Sequence, residues 1–114
     1  MTNQKQWENI CKTGEILPNI GVCALFEGQQ VAIFKVADSS GTEQLYAINN
    51  YCPFSKSNTI SRGLVGCLDG KTVIASPIYK QHFDLLTGIC LEDSTVSINV
   101  YPVRLEGSTI QLAA

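Results

Sequence analysis

Histidine is nearly missing from this chain: His82 stands alone among 114 residues. A centre that needs two imidazoles from one polypeptide is therefore excluded. Charge is scarce as well. Only 16% of residues are charged, against about 25% in ordinary globular chains, which leaves room for another protein to cover part of the surface. The formal net charge is −2 and no Lys/Arg cluster occurs, so the electrostatic footprint of a DNA- or RNA-binding protein is absent. No apolar run reaches the length of about 20 residues needed to span a bilayer, and no signal-peptide run follows the polar start. A soluble cytoplasmic protein without a membrane partner is expected. The cysteines, Cys11, Cys23, Cys52, Cys67 and Cys90, are odd in number and form no Cys-x-x-Cys pair. That pattern argues against a disulfide framework and fits a reducing compartment. A Gly-x-Gly-x-x-Gly dinucleotide fingerprint and a cysteine set for a four-iron cluster are also lacking.

Short β-branched and aromatic runs separated by Gly, Asn, Asp and Pro fill the chain, while helical periodicity is almost absent. This is the signature of an all-β sandwich or barrel. Strands are expected over residues 7–11, 21–25, 30–36, 44–49, 63–68, 72–75, 81–84, 96–106 and 109–112. Glu27-Gly28 and Asp69-Gly70 supply the positive backbone dihedrals of tight hairpins, and Glu106-Gly107-Ser108 closes the last one. Asp38-Ser39-Ser40-Gly41 reads as an exposed loop. Val96, Ile98 and Val100 alternate in one phase and Tyr101, Val103 and Leu105 in the other, which predicts a bulge or bend near Pro102. At this length one domain is expected, here residues 7–114, after a flexible terminus at 1–6.

Residues 52–88 depart from a plain meander. Cys52-Pro53 and Ser76-Pro77 make two proline-stiffened loop tips that can come together at one end. The first loop reads Asn49-Asn50-Tyr51-Cys52-Pro53-Phe54. The second reads Ala75-Ser76-Pro77-Ile78-Tyr79 and leads into His82-Phe83-Asp84-Leu85-Leu86-Thr87-Gly88. Both are spaced like the Cys-x-His and Cys-x-x-His loops that hold a two-iron centre with two thiolates and two imidazoles. Here Phe54 takes the place of the first imidazole, Ser76 of the second thiolate and Tyr79 of the second imidazole, and Cys52 is the one donor left.

These residues resemble the Rieske ferredoxin family. Tyr46-Ala47-Ile48-Asn49-Asn50, Phe83-Asp84-Leu85, Thr87-Gly88 and Tyr101-Pro102-Val103-Arg104 are similar to its framework, and the resemblance covers nearly the whole chain. Loss of the ligands, together with Gly21-Val22-Cys23-Ala24-Leu25, Val31-Ala32-Ile33-Phe34, Ile60-Ser61-Arg62-Gly63-Leu64 and Gly88-Ile89-Cys90-Leu91-Glu92-Asp93, resembles one branch of that family. It is the small subunits of cytoplasmic NAD(P)H-dependent nitrite reductases. The resemblance implies a Rieske-like fold without a [2Fe-2S] cluster. It also implies a large-subunit partner carrying FAD, a [4Fe-4S] cluster and sirohaem, which reduces nitrite to ammonium in nitrate assimilation. The chain would belong to an oxidoreductase complex with no complete active site of its own. Two other readings stay open: an electron-transfer ferredoxin of an oxygenase with an atypical cluster at Cys52, and a stand-alone interaction module.

No catalytic, cofactor-binding or metal-ligating residue is therefore expected. Cys52 is followed by Pro53 and Phe54, with no cation or helix start beside it to activate the thiol. All five cysteines are read as buried small hydrophobes. A zinc site from Cys52, Cys67, Cys90 and His82 lacks the usual close ligand pairs. With Phe83 and Leu85 facing the core, His82 and Asp84 are expected to point outward. In the cluster-bearing relatives the histidines at the positions of Phe54 and Tyr79 sit at an exposed tip that meets the redox partner. The two rings here are expected to plug the vacated pocket. The face around Phe54, Ser55, Lys56, Tyr79 and Lys80 is the candidate docking surface.

Overall fold

The computed structural model describes residues 6–37, 40–78 and 81–113. Its strands are β1 (Glu8–Lys12), β2 (Val22–Phe26), β3 (Gln29–Ala37), β4 (Glu43–Asn49), β5 (Tyr51–Cys52), β6 (Ser57–Asn58), β7 (Leu64–Leu68), β8 (Lys71–Ala75), β9 (His82–Asp84), β10 (Val103–Glu106) and β11 (Thr109–Leu112). They pair antiparallel in sheets ordered β1-β11-β10, β2-β3-β4, β5-β6 and β7-β8-β9. The expected all-β class holds. Two 3₁₀ turns, Thr13–Glu15 and Ile60–Arg62, complete the regular structure, and among the described residues no helix is long and apolar enough to cross a membrane. Residues 1–5 and the Asp38-Ser39 half of the expected exposed loop lie outside the described residues.

β3 organises the core because both of its faces are covered. Ala32 and Phe34 enter one cluster with Ile48, Cys52, Ile74, Phe83 and Leu85, while Val31 and Ile33 enter a second with Ile16, Phe26, Ala47, Ile110 and Leu112. A strand covered on both faces reads as an unbroken apolar run rather than an alternation, and Val31-Ala32-Ile33-Phe34 is such a run. Each fully buried aliphatic or aromatic side chain contributes about 1.5–3 kcal/mol, so the two clusters clamp the β2-β3-β4 sheet from either side. Lys35 ends the run, and its buried ammonium donates to the Thr13 carbonyl at 2.8 Å. That contact compensates its removal from water.

The hairpin signals hold, with φ of 50° and 77° at Glu27 and Gly28 and 53° and 74° at Asp69 and Gly70. The expected long strand over 96–106 does not. Regular pairing begins only at Val103, and residues 96–102 touch β4 and the segment after β9 through the isolated bridges Ile48↔Val100 and Ile89↔Ser97. Single hydrogen bonds fasten this segment along β4, from Asn49 N–H to the Asn99 carbonyl at 2.8 Å and from Tyr101 N–H to the Ala47 carbonyl at 2.9 Å. The chain after β9 turns at Gly88, whose φ is 81° and where an added Cβ would stand 1.9 Å from the Ile98 carbonyl oxygen. Only glycine permits both the left-handed turn and the close approach.

That packing corrects two expectations about β9. His82 and Asp84 do share the sheet face opposite Phe83, but the chain turns tightly after Asp84 and returns along the β9 edge, with the bridge Phe83↔Cys90. Asp84 is 8% exposed and accepts the Leu86 N–H at 2.8 Å. His82 is one-third exposed and paired with Glu92 rather than free on the surface.

Candidate functional site

The two proline-stiffened loops meet. Cys52, at the end of β5, and Ser76, just past β8, are both buried, and Cys52 Sγ lies 3.5 Å from Ser76 Oγ. The first loop turns back immediately: Lys56 N–H donates to the Cys52 carbonyl at 2.7 Å, and Lys56 takes a φ of 55°. The second closes through the Ser76 N–H on the Gln81 carbonyl at 2.8 Å.

Beneath the first loop lies a polar hub that the sequence reading missed. Asn50 is 2% exposed, and its Oδ1 accepts the Ser61 N–H at 2.7 Å. Its amide nitrogen donates to Gln30 Oε1 at 3.1 Å and to the Asn58 carbonyl at 3.2 Å, and its backbone N–H donates to the Gln30 carbonyl at 2.8 Å. One buried amide thus ties β3, the β5-β6 hairpin and the 3₁₀ turn together. Buried polar groups hold a position when they are satisfied in this way. The signal available in sequence was an Asn-Asn pair ending an apolar strand, which also reads as an ordinary turn.

Phe54 is half-buried, with its ring centroid 6.0 Å from that of Phe83 at 45°, and it packs on the core cluster that contains Cys52. Tyr79 and Lys80 lie outside the described residues. Ser55 is half-buried with its hydroxyl 2.8 Å from that of Ser57, and Lys56 is exposed.

Cys52 departs from expectation. Burial works to raise its thiol pKa, but hydrogen bonds from the Ser55 hydroxyl and N–H, the Ser76 hydroxyl and the Phe54 N–H outweigh it and bring the pKa below the ordinary value. No cation or helix start is needed where several donors converge on one sulfur. The other cysteines divide. Cys90 is buried, and desolvation raises its thiol, whereas Cys11 is half-buried and Cys23 and Cys67 are exposed. Only two of the five are the buried hydrophobes expected.

A Rieske centre requires two thiolates and two imidazoles. At this tip the described ligand positions hold one thiol, one hydroxyl and a phenyl ring. The chain's single imidazole, His82, sits on β9 with Nδ1 2.6 Å from Glu92 Oε2. These residues do not fit the cluster. Among the described residues no three Cys, His, Asp or Glu side chains form a metal-binding group.

Beside the loops, the sheet end is concave. β7, β8 and β9 place Leu64, Ala75 and His82 in one cross-strand row. With Arg62, Ser76 and Pro77 they line a cavity of about 400 Å³. The small Ala75 between two larger neighbours makes the notch. Gly63 allows the chain to approach, since a Cβ there would lie 2.2 Å from the Ala75 carbonyl oxygen.

Comparison with known proteins places this tip in a family. Residues 6–113 match the Rieske-like [2Fe-2S] domain. The nitrite reductase (NADH) small subunit of Salmonella typhimurium is 45% identical over 107 residues, covering 94% of this chain and 96% of that protein. A solved structure from Mycobacterium tuberculosis, described as a putative NADH-dependent nitrite reductase small subunit, superimposes with a TM-score of 0.88 at 38% identity, covering 98% of this chain and 97% of that one. The nitrite reductase [NAD(P)H] large subunit of Klebsiella oxytoca contains a segment 31% identical over 106 residues, which is 93% of this chain and 11% of that protein. With its Rieske-like fold and its near full-length similarity to those subunits, the chain belongs to the nitrite reductase small-subunit family.

Proposed function

We propose that this chain is the small subunit of a cytoplasmic NAD(P)H-dependent nitrite reductase, a Rieske-like domain that carries no cluster and supports a separate large subunit. The observation that carries the reading is similarity to nitrite reductase small subunits along almost the entire length. The cluster-free part rests on the donor set, because Phe54 and Ser76 replace an imidazole and a thiolate and the phenyl ring packs on Phe83. A side chain with no lone pair at a ligand position contributes volume in place of coordination.

The large subunit would hold FAD, a [4Fe-4S] cluster and sirohaem, the groups that supply electron transfer to nitrite. This chain would contribute no catalytic residue. Its role is to bind and shape the large subunit through the loop face, where Phe54, Ser55, Lys56, Tyr79 and Lys80 are the docking candidates. Phe54 serves mainly as a plug, since its ring is turned onto the core.

The test is a pull-down of the chain from nitrite-grown cells, with iron measured on the isolated chain and the co-eluting protein identified. A flavin and sirohaem protein bound to an iron-free chain is expected. Two irons per chain with an oxygenase as partner would instead assign it to electron-transfer ferredoxins.

A further inference from the structure

The notch beside the loops has a chemistry of its own. Its lining sets Leu64, Ala75 and Pro77 beside Arg62, Ser76 and His82, and Leu64, 77% exposed, is the most exposed large apolar side chain among the described residues. Single exposed leucines are ordinary. An exposed leucine that lines a cavity together with Ala75 and Pro77 is not such a scattered residue, and contiguous apolar surface of this kind marks interaction sites.

Charge adds a second, independent feature. The chain is acidic overall, yet between Gln44 and Phe83 its only acidic residue is Asp69, against Lys56, Arg62, Lys71, Lys80 and His82. Asp69 occupies the turn beyond the Leu68↔Lys71 pair, at the opposite end of the β7-β8 hairpin from the Leu64↔Ala75 pair. Glu92 reaches the site from the next loop, but its carboxylate is held by His82. Arg62 lines the notch from the end of its 3₁₀ turn, exposed and without a carboxylate partner among the described residues.

Resting on the subunit reading above, we infer that this notch receives an apolar side chain of the nitrite reductase large subunit, presented next to a carboxylate that pairs with Arg62. The relative from Klebsiella supports the large subunit as the partner, because there a segment similar to this domain lies within the large-subunit polypeptide. Where the two are separate chains, a surface must take over from the covalent link. The apolar side chain seats against Leu64, Ala75 and Pro77, and the guanidinium fixes its register with a charge-assisted hydrogen bond. His82 forms the far wall and is held upright by Glu92.

The experiment measures binding of the purified chain to the purified large subunit at low and high salt. Leu64→Glu and Arg62→Glu are compared with Leu25→Glu, a control on β2 at 70% exposure that lies outside the notch. Thermal melts verify that each variant is folded. Leu64→Glu and Arg62→Glu are each expected to weaken binding by about tenfold or more, Leu25→Glu to leave it unchanged, and salt to weaken the unaltered pair but not Arg62→Glu. Binding that survives both notch substitutions overturns this surface while leaving the subunit reading intact. A failure of the unaltered chain to bind the large subunit overturns both.

Discussion

The Cys52 thiol and the Ser76 hydroxyl, 24 residues apart in the chain, meet at 3.5 Å in the core end of the two loops. Burial opposes ionisation of this thiol, and donors from Ser55, Ser76 and Phe54 favour it more strongly. Ser76→Ala removes one donor and is expected to move the Cys52 titration up toward the ordinary value. The 13Cβ shift of Cys52 followed through a pH series reads the midpoint. Because the folded-state pKa is depressed, the associated stabilisation is complete above the unfolded thiol value and is lost as pH falls through the folded one. Ser76→Ala should therefore cost more in alkaline buffer than at neutral pH, and an unmoved midpoint would remove the hydroxyl from the network.

Asn50 offers a second test. Asn50→Ala deletes the acceptor of the Ser61 N–H and the donors to Gln30 and Asn58. A buried group left unpaired costs about 1–3 kcal/mol. Urea denaturation should show a loss in that range, and the Ser61 amide should lose its protection from hydrogen exchange. Protection that persists would mean that another acceptor takes over.

The aromatic pair separates plug from core. Phe83 is fully buried, and Phe83→Ala should cost about 3–5 kcal/mol. Phe54 is half-buried on the edge of the same cluster, so Phe54→Ala should cost less, about 1–2 kcal/mol, from partial area and one ring contact. Equal unfolding free energies for the two variants would contradict the ranking.

Acid stability should depend on Glu92. Desolvation pushes its pKa up, but hydrogen bonds from the His82 N–H and ring and the charge of the imidazole bring it below the ordinary 4.5. A depressed carboxylate contributes its stabilisation above the unfolded value and loses it as pH falls through the folded one. The melting temperature of the unaltered chain should therefore fall more steeply than that of Glu92→Gln on going below the ordinary carboxylate range, and the two curves should converge in strong acid. Parallel curves would show that the contact carries no linkage.

Most strands were legible where a face met the core, but the two-residue β5 and β6 were not expected, although Cys52 of β5 is fully buried. Ala32, Phe34, Ile48 and Ile74 announce themselves by apolar runs, and the Asp69-Gly70 turn by its dipeptide. The alternation of Val96, Ile98 and Val100 misled, because Ile98 alone of the three is buried and the segment gains its order from single bonds to residues 88–90 and to β4 instead of a ladder. Asp84 misled in the opposite sense: period two gives the face of a side chain, but here the tight turn that follows brings the Leu86 N–H onto the carboxylate. The Asn50 hub and the notch were invisible for a common reason. Both depend on groups brought together from distant positions, Gln30 with Ser61 and Leu64 with His82, and no local pattern records such meetings.

Glu8 of β1 stands opposite Leu112 of β11, so the domain starts and finishes side by side on a sheet that contains neither loop of the tip. A domain with neighbouring ends can be spliced into a longer polypeptide, because the host chain enters and leaves at one point and the grafted fold is not stretched. The same architecture can then serve as a separate chain or as a segment of a longer one, as in the Klebsiella relative, and a tether attached at that edge would join a different sheet from the one whose strands line the notch.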